Sequence, residues 1–150
     1  MNDAKLGRRA AMGLVVAMVT AANAAAPVGR YTVSTDTVLD TKTNRTWQRV
    51  VPTATYTWAN ATTYCQALSL GGMTGWRLPT LKELQSLVDI RMFKPSIDAA
   101  AFPATPANYF WSSSPYAYLP SYAWVVDFSY GTTTTLTNST TNTNQVRCVR

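Results

Sequence analysis

The sequence predicts an α+β domain, and three patterns along the chain carry that expectation. A β-hairpin signal comes first, two capped helix starts follow it, and apolar strand-like runs occupy residues 109–149. All three lie beyond residue 24.

Residues 1–24 have the parts of a cleavable export signal. Lys5, Arg8 and Arg9 form a positive start, Ala10 to Val19 an apolar run, and Ala22-Asn23-Ala24 the small-x-small cleavage site. The run is too short for a bilayer-spanning helix, which needs roughly 20 residues. A buried N-terminal helix is the competing reading. Ala10-Ala11-Met12 after Arg8-Arg9 suits twin-arginine export poorly, so the general route is expected. The expected location is secreted or periplasmic, with no membrane span after cleavage.

Cleavage would leave residues 25–150 as one domain, long enough for a single core. It removes Lys5, Arg8, Arg9 and Asp3, leaving 10 of 13 basic and 6 of 7 acidic side chains, net +4. The basic residues are scattered, so no nucleic-acid partner is expected; a weak preference for anionic surfaces or sulfated sugars is permitted. The two cysteines, Cys65 and Cys148, read as one disulfide in an exported chain. Free or metal-binding thiols are the alternative, and it lacks neighbouring His or Cys partners.

Residues 30–39 alternate loosely and read as a strand, Asp40 to Asn44 as a turn, and Arg45 to Val51 as the returning strand. Thr57 can N-cap a helix from Trp58, with Trp58, Ala61, Cys65 and Leu68 on its buried face and Gly71-Gly72 ending it. Pro79 keeps Trp76 to Leu78 extended. Thr80 and Glu83 form a capping box for a second helix over about 81–89. Asp89 to Asn108 holds three prolines and reads as a long ordered loop with one helical turn near Ile97 to Ala101. Strands are expected at 109–113, 123–128, 132–137 and 145–149, with the Thr/Asn/Ser tract of 132–144 as a polar hairpin.

Several pieces in this order resemble the Lcl C-terminal domain family, named for the globular end of a bacterial collagen-like adhesin. They are Thr46-Trp47-Gln48-Arg49, Tyr64-Cys65 through Gly71-Gly72, Gly75-Trp76-Arg77-Leu78-Pro79-Thr80 with Glu83-Leu84, Phe110 to Ser114, and Val146-Arg147-Cys148-Val149-Arg150. The resemblance implies a C-type-lectin-like fold: two helices on a twisted, mostly antiparallel sheet, with a helix-to-last-strand disulfide. Cys65–Cys148 suits that pairing. The collagen-like stalk is absent, and so is the calcium-lectin signature, of which Pro106-Ala107-Asn108 is a faint echo. Calcium wants six to eight oxygen ligands, and the few unclustered acidic residues argue against it. No cofactor is expected.

Catalysis finds little support, because the chain has no histidine to act as a general base. Sulfatase-activating enzymes share the fold by the same resemblance, but their chemistry needs reactive cysteines that a bridged pair cannot provide. Glu83 is expected to cap, and Asp127 to pair with Arg77 or Arg147, since buried charges are paired. Trp76, Trp111 and Trp124 are expected mainly in the core. Tyr116, Tyr118 and Tyr122, among Pro and Ser residues, are the candidate ligand surface. The expectation is a secreted, non-enzymatic binding or adhesion module for a glycan or cell-surface partner. A structural or assembly component of the envelope is the alternative, and an enzyme the minor one.

Overall fold

The computed structural model describes residues 26–135 and 139–150. The export signal read over 1–24 lies outside them, as do Leu136 to Asn138 of the polar tract. Among the described residues the protein is α+β, with two three-stranded antiparallel sheets and two helices. No helix among them is long and apolar enough to cross a membrane.

The first sheet comprises β1 (Tyr31–Val33), β2 (Thr37–Asp40) and β3 (Arg45–Gln48) in sequence order. Residues 30–39 are thus two strands and not one. Ser34-Thr35-Asp36 breaks the alternation, and the Ser34 N–H returns to the Thr37 carbonyl at 2.9 Å. Asn44, at φ 53°, closes the next turn, a left-handed position that asparagine tolerates better than most residues.

Helix α1 (Trp58–Ala67) is capped by Thr57, whose hydroxyl accepts the Asn60 N–H. Ala61 and Cys65 are buried, while Trp58 and Leu68 pack half-buried at the rim. The helix stops at a Leu68 cap, before Gly71-Gly72. Those glycines, both at positive φ, instead form the two-residue turn of a small hairpin in which Leu70 and Met73 exchange backbone hydrogen bonds.

Helix α2 (Leu81–Gln85) carries the complete Thr80–Glu83 capping box. It is shorter than the 81–89 expected because Ser86 caps it, its hydroxyl bonding the Glu83 carbonyl, and Val88 leaves to bridge Ile97. The long loop then makes its single helical turn as expected. Asp98 accepts the Ala100 and Ala101 N–H groups, and Phe102 N–H bonds the Asp98 carbonyl.

The second sheet is β4 (Tyr109–Pro115), β5 (Ala123–Asp127) and β6 (Thr132–Thr134). Both faces of the β4–β5 pair are covered. Phe110 and Val126 enter one apolar cluster with Val38, Trp47, Leu84 and Phe102. Trp111, Ala123 and Val125 enter another with Ala61, Cys65, Trp76 and Cys148. Period-two alternation distributes the side chains between the two cores.

The C-terminal segment is a seam and not the regular strand expected over 145–149. Asn144 bridges Tyr56, Gln145 runs parallel to Phe110, and Val149 lies between Trp47 and Arg77. Each partner is held for about one residue pair, so no ladder builds up. Cys148 in this seam is bonded to Cys65 on α1.

Candidate functional site

Tyr116, Tyr118 and Tyr122 come together on the loop between β4 and β5. The loop is held as a compact turn: Tyr116 N–H donates to the Tyr122 carbonyl, Leu119 N–H to Tyr116, and Tyr122 N–H to Leu119, at 2.8–3.1 Å. Ring centroids of Tyr116 and Tyr118 are 5.7 Å apart, and Tyr116 meets Trp124 edge-on at 5.7 Å. Tyr116, Leu119, Tyr122 and Thr135 line a cleft of about 140 Å³. Tyr118 stands beside it, 85% exposed.

Trp124 is therefore not a core anchor, unlike Trp76 and Trp111, which are buried. It is half-buried in β5, and its ring packs edge to face with that of Tyr116. Every residue of that strand but its last is apolar, so alternation alone gave no outward face. Leu119 and Thr135 also escape a reading based on tyrosines.

The loop rests on an irregular stretch of β4, where the register shifts between Trp111 and Pro115. The Ser112 hydroxyl donates to the Trp124 carbonyl at 2.7 Å and accepts the Ser114 N–H at 3.2 Å. Trp58 Nε1 donates to the Ser112 carbonyl at 2.7 Å. Ser113 N–H bonds the Pro79 carbonyl at 2.7 Å, and the Ser114 hydroxyl accepts the Leu81 N–H at 3.1 Å. The serine run thus ties the aromatic loop to the Leu78-Pro79-Thr80 turn and the start of α2. Rigid mounting of this kind lowers the ordering cost of binding.

Glu83 does more than cap. Oε2 accepts Thr80 N–H at 2.9 Å and Arg77 Nη1 at 2.8 Å, while Oε1 accepts Arg77 Nη2 at 2.6 Å and Arg45 Nε at 3.1 Å. The Arg77 guanidinium foremost, aided by the Thr80 backbone, holds the Glu83 carboxyl down at about 2. A carboxylate so pinned is ionised at neutral pH and has no lone pair aimed at a substrate proton.

The ion pair expected for Asp127 is not formed. Arg77 is committed to Glu83, and Arg147 is bound to backbone carbonyls. Asp127 ends β5 and instead accepts the Ser129 N–H at 2.8 Å, while its carbonyl takes the Gly131 N–H. A side chain at a strand end can satisfy its charge from the turn's own amides. Asn108, in the Pro106-Ala107-Asn108 stretch, likewise spends its side-chain oxygen on the Tyr109 N–H.

Both cysteines are fully buried in the disulfide, so neither offers a thiolate. Among the described residues, no three His, Cys, Asp or Glu side chains are grouped to hold a metal ion. What the aromatic loop offers chemically is area and hydroxyls, with no charge inside the cleft.

No curated protein matches the chain. The family model of the Lcl C-terminal domain matches residues 36–150, from the turn before β2 to the last residue of the C-terminal seam. The chain belongs to the Lcl C-terminal domain family.

Proposed function

We propose that this protein is an exported, non-enzymatic binding and adhesion module that engages an uncharged ligand, a glycan or a cell-surface protein, through the Tyr116–Tyr122 loop. We read its scaffold as C-type-lectin-like: a disulfide joins a helix to the C-terminal seam, and an irregular loop between antiparallel strands is left for recognition. The observation that carries the reading is the braced cluster of Tyr116, Tyr118, Leu119 and Tyr122 around an uncharged cleft. Tyrosines supply flat contact area and a hydroxyl at small rotamer cost, which suits sugar rings and protein surfaces alike. The reading needs no calcium.

The test is a glycan array and a cell-surface binding assay with the protein lacking residues 1–24, each with and without chelator. Binding that survives chelation and falls about tenfold or more in Tyr118→Ala and Tyr122→Ala supports the proposal. No binding on either platform sinks it in favour of an envelope assembly component.

A further inference from the structure

The two stretches that wall the cleft beside Tyr116 share a composition. Between Asp98 and Arg147 the chain carries a single charged side chain, Asp127. Its other polar side chains there are hydroxyls, amides and indoles. The tract after β6 returns alongside the tyrosine loop: Tyr122 bridges Ser139, and Thr140 N–H donates to the Ser121 carbonyl at 2.8 Å. Trp58 N–H donates to the Thr140 carbonyl at 3.1 Å, which ties the same tract to the start of α1. Neither wall offers a ligand an acid or a base.

Thr135 is the polar residue of that cleft. It follows β6, whose Thr134 pairs with Val125, and it is only 6% exposed. Its hydroxyl hydrogen-bonds none of the described residues, yet it is not sealed from solvent as the unpartnered Gln145 Oε1 is. It therefore opens onto the cleft that Thr135 lines with Tyr116, Leu119 and Tyr122. Buried polar groups are nearly always paired, and a free hydroxyl keeps one donor and two acceptor sites for whatever enters. The cleft, at about 140 Å³, is well short of the roughly 300–1,000 Å³ that enclose a drug-sized ligand. It admits one ring of a longer molecule.

We infer that this cleft is a subsite for one uncharged pyranose ring of a glycan, and that Thr135 hydrogen-bonds a hydroxyl of that ring. The inference rests on the binding role proposed above for the Tyr116–Tyr122 loop and names its ligand class. A sugar ring has C–H faces that lie against tyrosine rings, and hydroxyls that both donate and accept. The Thr135 hydroxyl answers such a group in either direction. A proline-rich peptide also suits aromatic walls, but the ring it would insert carries no polar group and would leave Thr135 unpaired. A uronic or sulfated sugar would bury its charge where no cation meets it. The neutral sugar satisfies both the rings and the hydroxyl.

The probes are the methyl glycosides of glucose, galactose and mannose, each beside its uronic acid counterpart, titrated by NMR into the protein lacking residues 1–24. At least one neutral glycoside is expected to bind, with its uronic acid counterpart about tenfold weaker or more. Thr135→Val should weaken that binding about tenfold, and Thr135→Ser, which keeps the hydroxyl, should bind as wild type does. The hydroxyl has no partner in the protein, so Thr135→Val should leave the melting temperature unchanged or raise it. Equal binding by Thr135→Val, a preference for the uronic acids, or a lower melting temperature in Thr135→Val overturns the inference. Cell-surface binding that needs Tyr118 and survives periodate oxidation of the cells, with no glycoside bound, also overturns it. The loop's binding role then stands, with a protein as its ligand. Loss of cell-surface binding as well removes both.

Discussion

The Arg147 guanidinium lies over the Phe102 ring, its central carbon 4.7 Å from the ring centroid. Arg147 is fully buried, and among the described residues it forms no salt bridge. Its Nη1 donates to the carbonyls of Gln48 and Arg49 at 2.6 and 2.8 Å, and Nη2 to the Thr105 hydroxyl at 2.7 Å. One side chain therefore ties the end of β3, the long loop and the C-terminal seam together. A planar fork can reach all three, and an ammonium cannot. Arg147→Lys is expected to cost about 2–4 kcal/mol. Urea unfolding should show this as a lower midpoint with an unchanged slope.

Burial also pushes the Arg147 pKa well below the usual guanidinium range, to about 9. The folded state then disfavours the proton that the unfolded chain keeps, so this group's penalty is fully present below about pH 9. It is relieved only as pH rises from there towards the ordinary guanidinium value. The penalty is therefore constant across neutral and acid pH, and the pH dependence of stability there is set by other groups.

Glu83 is the main one on the acid side. Its carboxyl is held at about 2, well below the 4.5 of a free glutamate, first by Arg77 and then by the Thr80 backbone. A lowered carboxyl pKa contributes stability that is complete above about 4.5 and drains away as pH falls towards 2. Glu83→Gln keeps a capping side chain but loses the charge attraction of Arg77 and Arg45. At pH 7 it should cost about 1 kcal/mol, since both guanidinium groups are partly exposed. Unfolding midpoints measured from pH 7 to pH 2 should fall less steeply in the variant. The residual slope then belongs partly to Asp89, lowered by Arg91.

Local chemistry was legible in the sequence wherever a residue acts on its chain neighbours. Thr57 and Thr80 cap their helices, Pro79 keeps its neighbours extended, and the long loop makes its helical turn near Ile97 to Ala101. The tyrosine loop was legible by composition, because Pro and Ser around it leave the rings no core to enter. Long-range competition hid the rest. Ser86 and Val88 shorten α2 because Ile97, nine residues on, offers Val88 a bridge. Asp127 had two plausible arginines, yet the Ser129 amide is nearer along the chain. Trp124 was misplaced because β5 is apolar on both faces, so no periodicity marks which side is covered.

The Cys65–Cys148 bond closes a loop of 83 positions between α1 and the C-terminal seam. Removing a cross-link of that span frees the unfolded chain by about 4–5 kcal/mol on the loop-entropy model, an upper figure. Cys65→Ser/Cys148→Ser should therefore unfold at markedly lower urea. It would also leave two hydroxyls in a fully buried apolar cluster. Intact-mass measurement of the protein purified without reductant should show it two hydrogens lighter than its reduced form. Free thiols in freshly purified, unreduced protein would contradict the assignment.

Gly131 offers the sharpest steric test of how the turn after β5, residues 128–131, is joined to the loop over 90–96, through Lys94 N–H to the Ser129 carbonyl and Ser96 N–H to the Phe128 carbonyl. It sits at φ +72°, and a Cβ would meet Val88 Cγ1 at 2.6 Å and Ser96 Cβ at 3.4 Å. Gly131→Ala faces both a left-handed backbone penalty and a clash with a branched side chain that has little room to turn. A cost of about 1–3 kcal/mol is expected. Only the clash depends on Val88, so Val88→Ala should recover part of that loss while the backbone penalty stays. A double-mutant cycle on the two positions should accordingly give a favourable coupling of about 1 kcal/mol. In the single variant, faster amide exchange at Lys94 and Ser96 would show the two turns parting, because those amides are what join them. Unchanged exchange there, with the full stability loss, would mean that the turns stay joined and the strain is absorbed at the Gly131 backbone.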